Sequence, residues 1–180
     1  MTEASADRHR RATTLLILGA VCISFAPVFV KLIDPNTLGS NAIGFWRTLF
    51  GAALLFAWNA ILRKSVLIPR PSLKFALLAG FFFSLDLGFW HRSIFYTGAG
   101  MATILGNTQV FATSVFAWLI FKERLTFRFI VAAVTAIFGV SLLVGLLSSD
   151  IVFSSQYVIG VILGISTGIW YACFILSLKA

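Results

Sequence analysis

Six long apolar runs divide this sequence, and they constrain its fold more than any other feature. They lie at about 13–33, 42–62, 74–96, 100–121, 127–147 and 156–178. Each is close to the roughly 20 residues that an α-helix needs to cross a hydrocarbon core about 30 Å thick. Of the 180 residues, 59% are hydrophobic and only 11% are charged, which excludes a water-soluble enzyme. We therefore predict an all-α protein, a polytopic transmembrane helical bundle of about six spans in a lipid bilayer.

The basic residues indicate how the spans are oriented. Lys and Arg concentrate in the cytoplasmic loops of membrane proteins. In this chain they cluster before the first run, after the second and after the fourth, as Arg8, Arg10, Arg11, Arg63, Lys64, Arg70, Lys122 and Arg124. We therefore expect a cytoplasmic N-terminus. The net charge of +8 reflects this topology, and no nucleic-acid partner is expected.

No sequence motif indicates catalysis or a cofactor. The HExxH, GxSxG and phosphate-loop patterns are absent. Cys22 and Cys173 lie inside apolar runs and have no Cys or His at metal-binding spacing, so neither a metal site nor a disulfide is expected. We predict that the protein is not an enzyme and holds no cofactor.

An internal similarity links the first apolar run to the sixth. Residues 18–29 align without a gap on residues 163–174, with Leu, Gly and Phe in matching places. An offset of five spans reverses the direction of the helix, as in transporters built from inverted repeats. We expect residues 1–12 to form a cytoplasmic tail and residues 13–147 a first five-helix unit. Residues 148–180 would then open a second unit that is truncated after one helix.

Polar side chains inside the spans are candidates for a functional site. A charge at the centre of a membrane helix costs about 2.5–3.5 kcal/mol on insertion scales, which makes Arg47, Asp86 and His91 candidates. At about 1.5 Å per residue, these three and Asn107 lie roughly 7 to 15 Å from the outer surface, in one layer. An Arg47–Asp86 pair could be a structural link between two helices or part of a substrate or proton site. His91, beside Trp90, could instead be a polar ring at the membrane interface.

Two further features predict how the helices pack. Pro27 lies in the middle of the first run and removes a backbone donor, which predicts a kink or a break there. Gly160, Gly164 and Gly168 recur every four residues along the last run. Such a stripe of small residues predicts close packing against another helix.

Several segments together resemble one transporter family. Residues 84–91 (SLDLGFWH) resemble the third helix of EamA-type exporters in the drug/metabolite transporter (DMT) superfamily. Residues 102–107 (ATILGN) are similar to the start of the fourth helix, and residues 122–126 (KERLT) to the turn that follows it. Gly139-Val140 matches a small-residue position of the fifth helix. The resemblance covers about residues 13–147.

The resemblance implies ten helices in two inverted repeats around a central cavity for small polar or amphipathic metabolites, such as amino acids, their derivatives and drugs. It places Asp86, Trp90 and Asn107 near that cavity. Val110 stands where many relatives have a proline. Because most of the second repeat is missing, the resemblance also implies a partner, either a second copy in a homodimer or a separate C-terminal half.

We therefore expect an integral membrane transporter that exports small metabolites or drugs by alternating access, in a cell membrane that is a bacterial inner membrane. Its substrate site would comprise Arg47, Asp86, Trp90, His91 and Asn107. Two alternatives remain open from the sequence. The chain could be a non-transporting membrane subunit or scaffold fragment. It could also be a lipid-acting membrane enzyme with Asp86 and His91 as acid and base.

Overall fold

The computed structural model describes residues 3–34, 36–63, 69–145 and 154–179, and every regular element in these ranges is an α-helix. The helices are α1 Glu3–Ser24, α2 Ala26–Leu32, α3 Ser40–Ile61, α4 Arg70–Thr97, α5 Ala99–Gly106, α6 Gln109–Phe121, α7 Phe127–Val144 and α8 Ser155–Lys179. The predicted all-α helical bundle is confirmed. The predicted boundary between residues 147 and 148 lies outside the described residues.

Five helical segments within the described ranges are long and apolar enough to cross a membrane. They are His9–Leu32, Arg70–Thr97, Ala99–Phe121, Phe127–Val144 and Ser155–Lys179. The second predicted span, 42–62, forms the 22-residue helix α3 but is not one of these five. Its length of about 33 Å would suffice for a crossing. Arg47, Asn41 and Asn59 lower its hydropathy below that of the other segments.

The outer surface of the bundle is apolar. Leu16 is 74% exposed and Phe127 is 76% exposed, and both belong to helices that could cross a membrane. Apolar surface on this scale is unfavourable in water but is the normal surface of a helix in lipid. The exposure pattern therefore agrees with a multi-pass membrane protein.

Two of the membrane-crossing segments are interrupted near their middle. The first breaks at Phe25, between α1 and α2, because Pro27 has no N–H to donate to the carbonyl of Ile23. This confirms the interruption predicted from Pro27. The second break, between α5 and α6, was not predicted. There Thr108 N donates to Leu105 O at 3.1 Å, a three-residue spacing that tightens the turn and ends the regular helix.

α8 packs most extensively along α4, and glycine makes the contact possible. A Cβ added to Gly160 would lie 2.5 Å from Tyr96 Cβ, and one added to Gly164 would lie 2.8 Å from Leu105 Cβ. At Gly168 a Cβ would lie 2.7 Å from the backbone nitrogen of Gln109. The predicted packing role of the glycine stripe is therefore confirmed.

A buried hydrogen bond and a small apolar cluster complete the packing. Ser93 Oγ donates to the carbonyl of Gly160 at 2.8 Å, which ties α4 to α8. The side chains of Val30, Ile43, Ile94 and Ala102 form a cluster that joins α2, α3, α4 and α5. α4 thus contacts α2, α3, α5 and α8 and forms the centre of the bundle.

The glycine stripe yields a stability prediction. Gly160→Ala places a methyl group against the Cβ of Tyr96, and we expect it to cost about 1–3 kcal/mol and lower the apparent Tm. Gly139→Ala on α7 is the matched control, because nothing lies within 4 Å of its added Cβ. Thermal unfolding of both variants in detergent measures the difference. Equal melting temperatures would contradict the assigned packing.

Candidate functional site

A cavity of about 380 Å³ lies between the helices of the bundle and is partly open to the outside. Its walls come from α1 and α2, α3, α4, the α5–α6 segment, and α8. Both helix interruptions border it, the first through Ser24 and Pro27 and the second through Gly106, Asn107 and Gln109. Interrupted helices leave backbone groups without their usual partners, and in membrane proteins they occur where the backbone lines a cavity.

Four of the five predicted site residues lie in the wall of this cavity. Asp86 and Trp90 come from α4, where a spacing of four residues places them on one face. Arg47 comes from α3, and Asn107 lies at the break between α5 and α6. Residues from three separate segments of the sequence therefore meet at one place.

Arg47 contacts an aromatic ring. Its guanidinium carbon lies 5.6 Å from the centroid of the Trp90 ring, within the range of a cation–π interaction. Its Nη1 is buried and has no hydrogen-bond partner among the described residues. Arg47 therefore keeps an unused donor in the protein interior.

The predicted ion pair between Arg47 and Asp86 is not formed. Both residues are described, and no ion pair within 4.0 Å joins them. The Asp86 side chain is only 6% exposed and accepts no hydrogen bond from the described part of the chain. The guanidinium lies over the Trp90 ring, one turn along α4 from Asp86. Two opposite charges therefore border one cavity and attract each other across it without forming a direct ion pair.

His91 does not line the cavity. Its side chain is 0% exposed, and its Nδ1 lies 3.4 Å from the position that a Cβ would take on Gly44. The ring thus packs against α3, and neither of its nitrogens has a hydrogen-bond partner in the described ranges. The acid–base pair of Asp86 and His91 that a lipid-acting enzyme would need is not assembled around one site. A substrate-binding role for His91 stays a prediction.

Comparison with protein families identifies the kind of protein that carries this cavity. A model described as the EamA-like transporter family matches residues 10–145. The chain belongs to this family. The resemblance inferred from the sequence motifs is thereby confirmed, and with it the assignment to transmembrane transporters of the DMT superfamily. Comparison with curated proteins and with solved structures gives no match.

α8 lies beyond the matched region of this EamA-like transporter, yet it contributes to the cavity. Thr167 and Tyr171, four residues apart on α8, both line it. Sequence analysis did not select them, because neither is charged and only the glycine stripe of this helix was interpreted. The signal that could have found them is their spacing, since Thr167 precedes Gly168 and so lies close to the helix face that packs.

The remaining lining residues are mostly apolar or aromatic, including Phe83 on α4 and Leu87 beside it. A mostly apolar cavity with a few polar groups is typical of sites for small molecules. Within the described residues, no group of three or more His, Cys, Asp or Glu side chains could hold a metal ion. The chemistry available to the EamA-like site is therefore recognition by charge, hydrogen bonds and aromatic contact.

The unpaired state of Asp86 leads to a prediction about stability. If the Arg47–Asp86 pair held the helices together, Asp86→Asn would lower the apparent Tm. Because the buried carboxylate has no ion pair or hydrogen bond in the described structure, we expect Asp86→Asn to leave the Tm unchanged or raise it.

A double-mutant cycle with Arg47→Gln, followed by thermal unfolding in detergent, separates the two interpretations. Because the two charges share a cavity without direct contact, we expect a coupling energy of no more than about 1 kcal/mol, well below the roughly 3–5 kcal/mol lost when a direct buried ion pair is broken. A coupling of several times that size would show that the pair is structural.

Proposed function

We propose that this chain forms the substrate-binding part of an exporter for small zwitterionic or amphipathic metabolites, such as amino acids or related compounds. The observation that carries the proposal is the unpaired charge at the cavity, with Arg47 on α3 and Asp86 on α4. A zwitterion would place its carboxylate at Arg47 and its ammonium group at Asp86. Each buried charge would then gain a partner.

The aromatic wall supports an amphipathic substrate. Phe83, Trp90 and Tyr171 approach the cavity from two helices. Aromatic rings offer apolar area to a hydrocarbon or aromatic substituent, and the Asn107 amide can donate and accept hydrogen bonds beside them. The predicted roles of Trp90 and Asn107 in substrate binding therefore form part of the proposal.

Transport is proposed to occur by alternating access. The two interrupted segments, α1–α2 and α5–α6, meet at the cavity and give the bundle places where it can bend. In the arrangement implied by the resemblance, residues 13–147 are one repeat and residues 148–180 the start of the next. A second copy of the chain, or a separate C-terminal half, would supply the remaining helices.

We propose that the N-terminus and residues 1–12 lie on the cytoplasmic side of a bacterial inner membrane. The distribution of Lys and Arg supports this side. Asp86 would then face the cavity as a proton-linked or cation-sensing carboxylate, since it is the acidic residue in the cavity wall.

Transport in liposomes tests the proposal. We expect the reconstituted chain to accumulate radiolabelled L-phenylalanine under a pH gradient, and Asp86→Asn to reduce the initial rate at least about tenfold because the ammonium group loses its counter-charge. Arg47→Gln should cause a similar loss.

Asp34→Asn and Arg63→Gln are the matched controls, because they remove the same charges from exposed loop positions outside the cavity. Uptake that is absent in the well-folded chain, or that is unchanged in Asp86→Asn and Arg47→Gln, would refute the proposal. The non-transporting subunit would then be the better interpretation.

A further inference from the structure

Thr167 carries an unexplained hydroxyl group. Its side chain is 4% exposed and borders the cavity. Its Oγ1 has no hydrogen-bond partner among the residues that the structure describes. A buried hydroxyl without a partner is unfavourable, so its presence at a cavity suggests that a partner arrives from elsewhere.

The helix offers this hydroxyl a partner that it does not use. Ser166, the preceding residue, donates to the carbonyl of Ile162 at 2.8 Å, four residues back. Ser177 and Thr103 make the same four-residue bond at 2.8 Å and 2.7 Å. The corresponding carbonyl for Thr167 is that of Leu163, and the bond is not made. The side-chain rotamer of Thr167 is therefore set by its neighbours and not by its own helix.

Those neighbours belong to the interrupted segment. The Cγ2 of Thr167 lies 3.5 Å from the position of a Cβ on Gly106, the last residue of α5. The next residue, Gly168, touches the backbone between Thr108 and Gln109, where a Cβ would lie 2.7 Å from a backbone nitrogen. This close contact fixes where α8 lies along its own axis, and how it is turned about that axis, next to the break between α5 and α6. A rotation of about 120° about χ1 moves Oγ1 to the place that Cγ2 now occupies.

We propose that Thr167 is a specificity-determining residue of the transport site, and that its hydroxyl joins Arg47 in binding the carboxylate of the metabolite. This inference rests on the proposed function. Arg47 Nη1 and Thr167 Oγ1 are both buried, both unpartnered within the described structure and both on residues in the wall of one cavity. A carboxylate oxygen accepts hydrogen bonds from either group. The site thereby extends onto α8, a helix outside the region matched by the family model.

The test compares two ligands that differ only at the carboxylate. Binding of L-phenylalanine and of L-phenylalanine amide to the full chain in detergent is measured by isothermal titration calorimetry. We expect Thr167→Val to weaken binding of L-phenylalanine about tenfold and to change binding of the amide less than about twofold, because only the carboxylate loses a charge-assisted bond. Thr167→Ser should retain the wild-type ratio of the two affinities.

Ser166→Ala is the matched control, since its hydroxyl lies next in sequence, has a partner and does not line the cavity. We expect it to leave both affinities unchanged. The apparent Tm of Thr167→Val should equal or exceed that of the wild type, because the hydroxyl stabilises nothing in the unliganded protein.

The outcomes separate the two proposals. Suppose that the wild type binds L-phenylalanine, and that Thr167→Val weakens the binding of both ligands equally or of neither ligand. The role of Thr167 is then refuted and the proposed function stands. If the wild type binds neither ligand, the proposed function falls and this inference falls with it. A marked loss of Tm in Thr167→Val would assign the hydroxyl to folding and would also overturn the inference.

Discussion

The close contact of α8 with α4, α5 and α6 is the constraint on which the rest of this structure depends. Gly160, Gly164 and Gly168 let the backbones approach to distances at which any Cβ would collide with a neighbour. In lipid, helices gain little from burying apolar surface against one another, so close packing and hydrogen bonds hold them together. The bond from Ser93 to the carbonyl of Gly160 is one that only such an approach permits.

The same contact explains the form of the cavity. Gly168 lies against the backbone of Thr108 and Gln109, at the point where α5 ends and α6 begins. α8 therefore packs against one side of the interrupted α5–α6 segment. α4 lies at the centre of the bundle and contacts both α8 and α5. The cavity is the space left between these elements and the first break, at Phe25.

The sequence was sufficient for the features that depend on a single helix. Apolar runs of about 20 residues predicted the helices, Pro27 predicted its break, and the glycine stripe predicted its own packing role. Each of these signals is local, because the residues that cause the feature are part of the helix in which the feature occurs. Arg47, Asp86, Trp90 and Asn107, predicted for the substrate site, lie in the wall of one cavity, and their role in binding stays a prediction.

What the sequence missed depends on rotation and on contacts between helices. Depth alone placed His91 in one layer with Asp86, but five residues along a helix correspond to a rotation of about 140° away from it. The ring therefore packs against Gly44 instead of facing the cavity. Apart from Gly106, no proline or glycine at Asn107 predicts the break there. The break forms where α8 contacts the α5–α6 segment. Thr167 was missed because only the folded chain shows that its hydroxyl lacks a partner.

Two of the side chains that the fold leaves with an unsatisfied buried polar group border the cavity, whereas His91 and Trp170 lie outside its wall. Arg47 and Thr167 each keep a buried donor without a partner in the described structure, and both border the cavity where the two helix interruptions meet. Elsewhere in the helices, hydroxyls such as those of Ser166 and Ser177 satisfy themselves on their own backbone. A chain selected only for stability would have replaced these groups by apolar ones of similar shape, because the replacement is neutral or favourable. For Arg47 and Thr167, which border the cavity, a polar molecule that enters it would supply the missing partner.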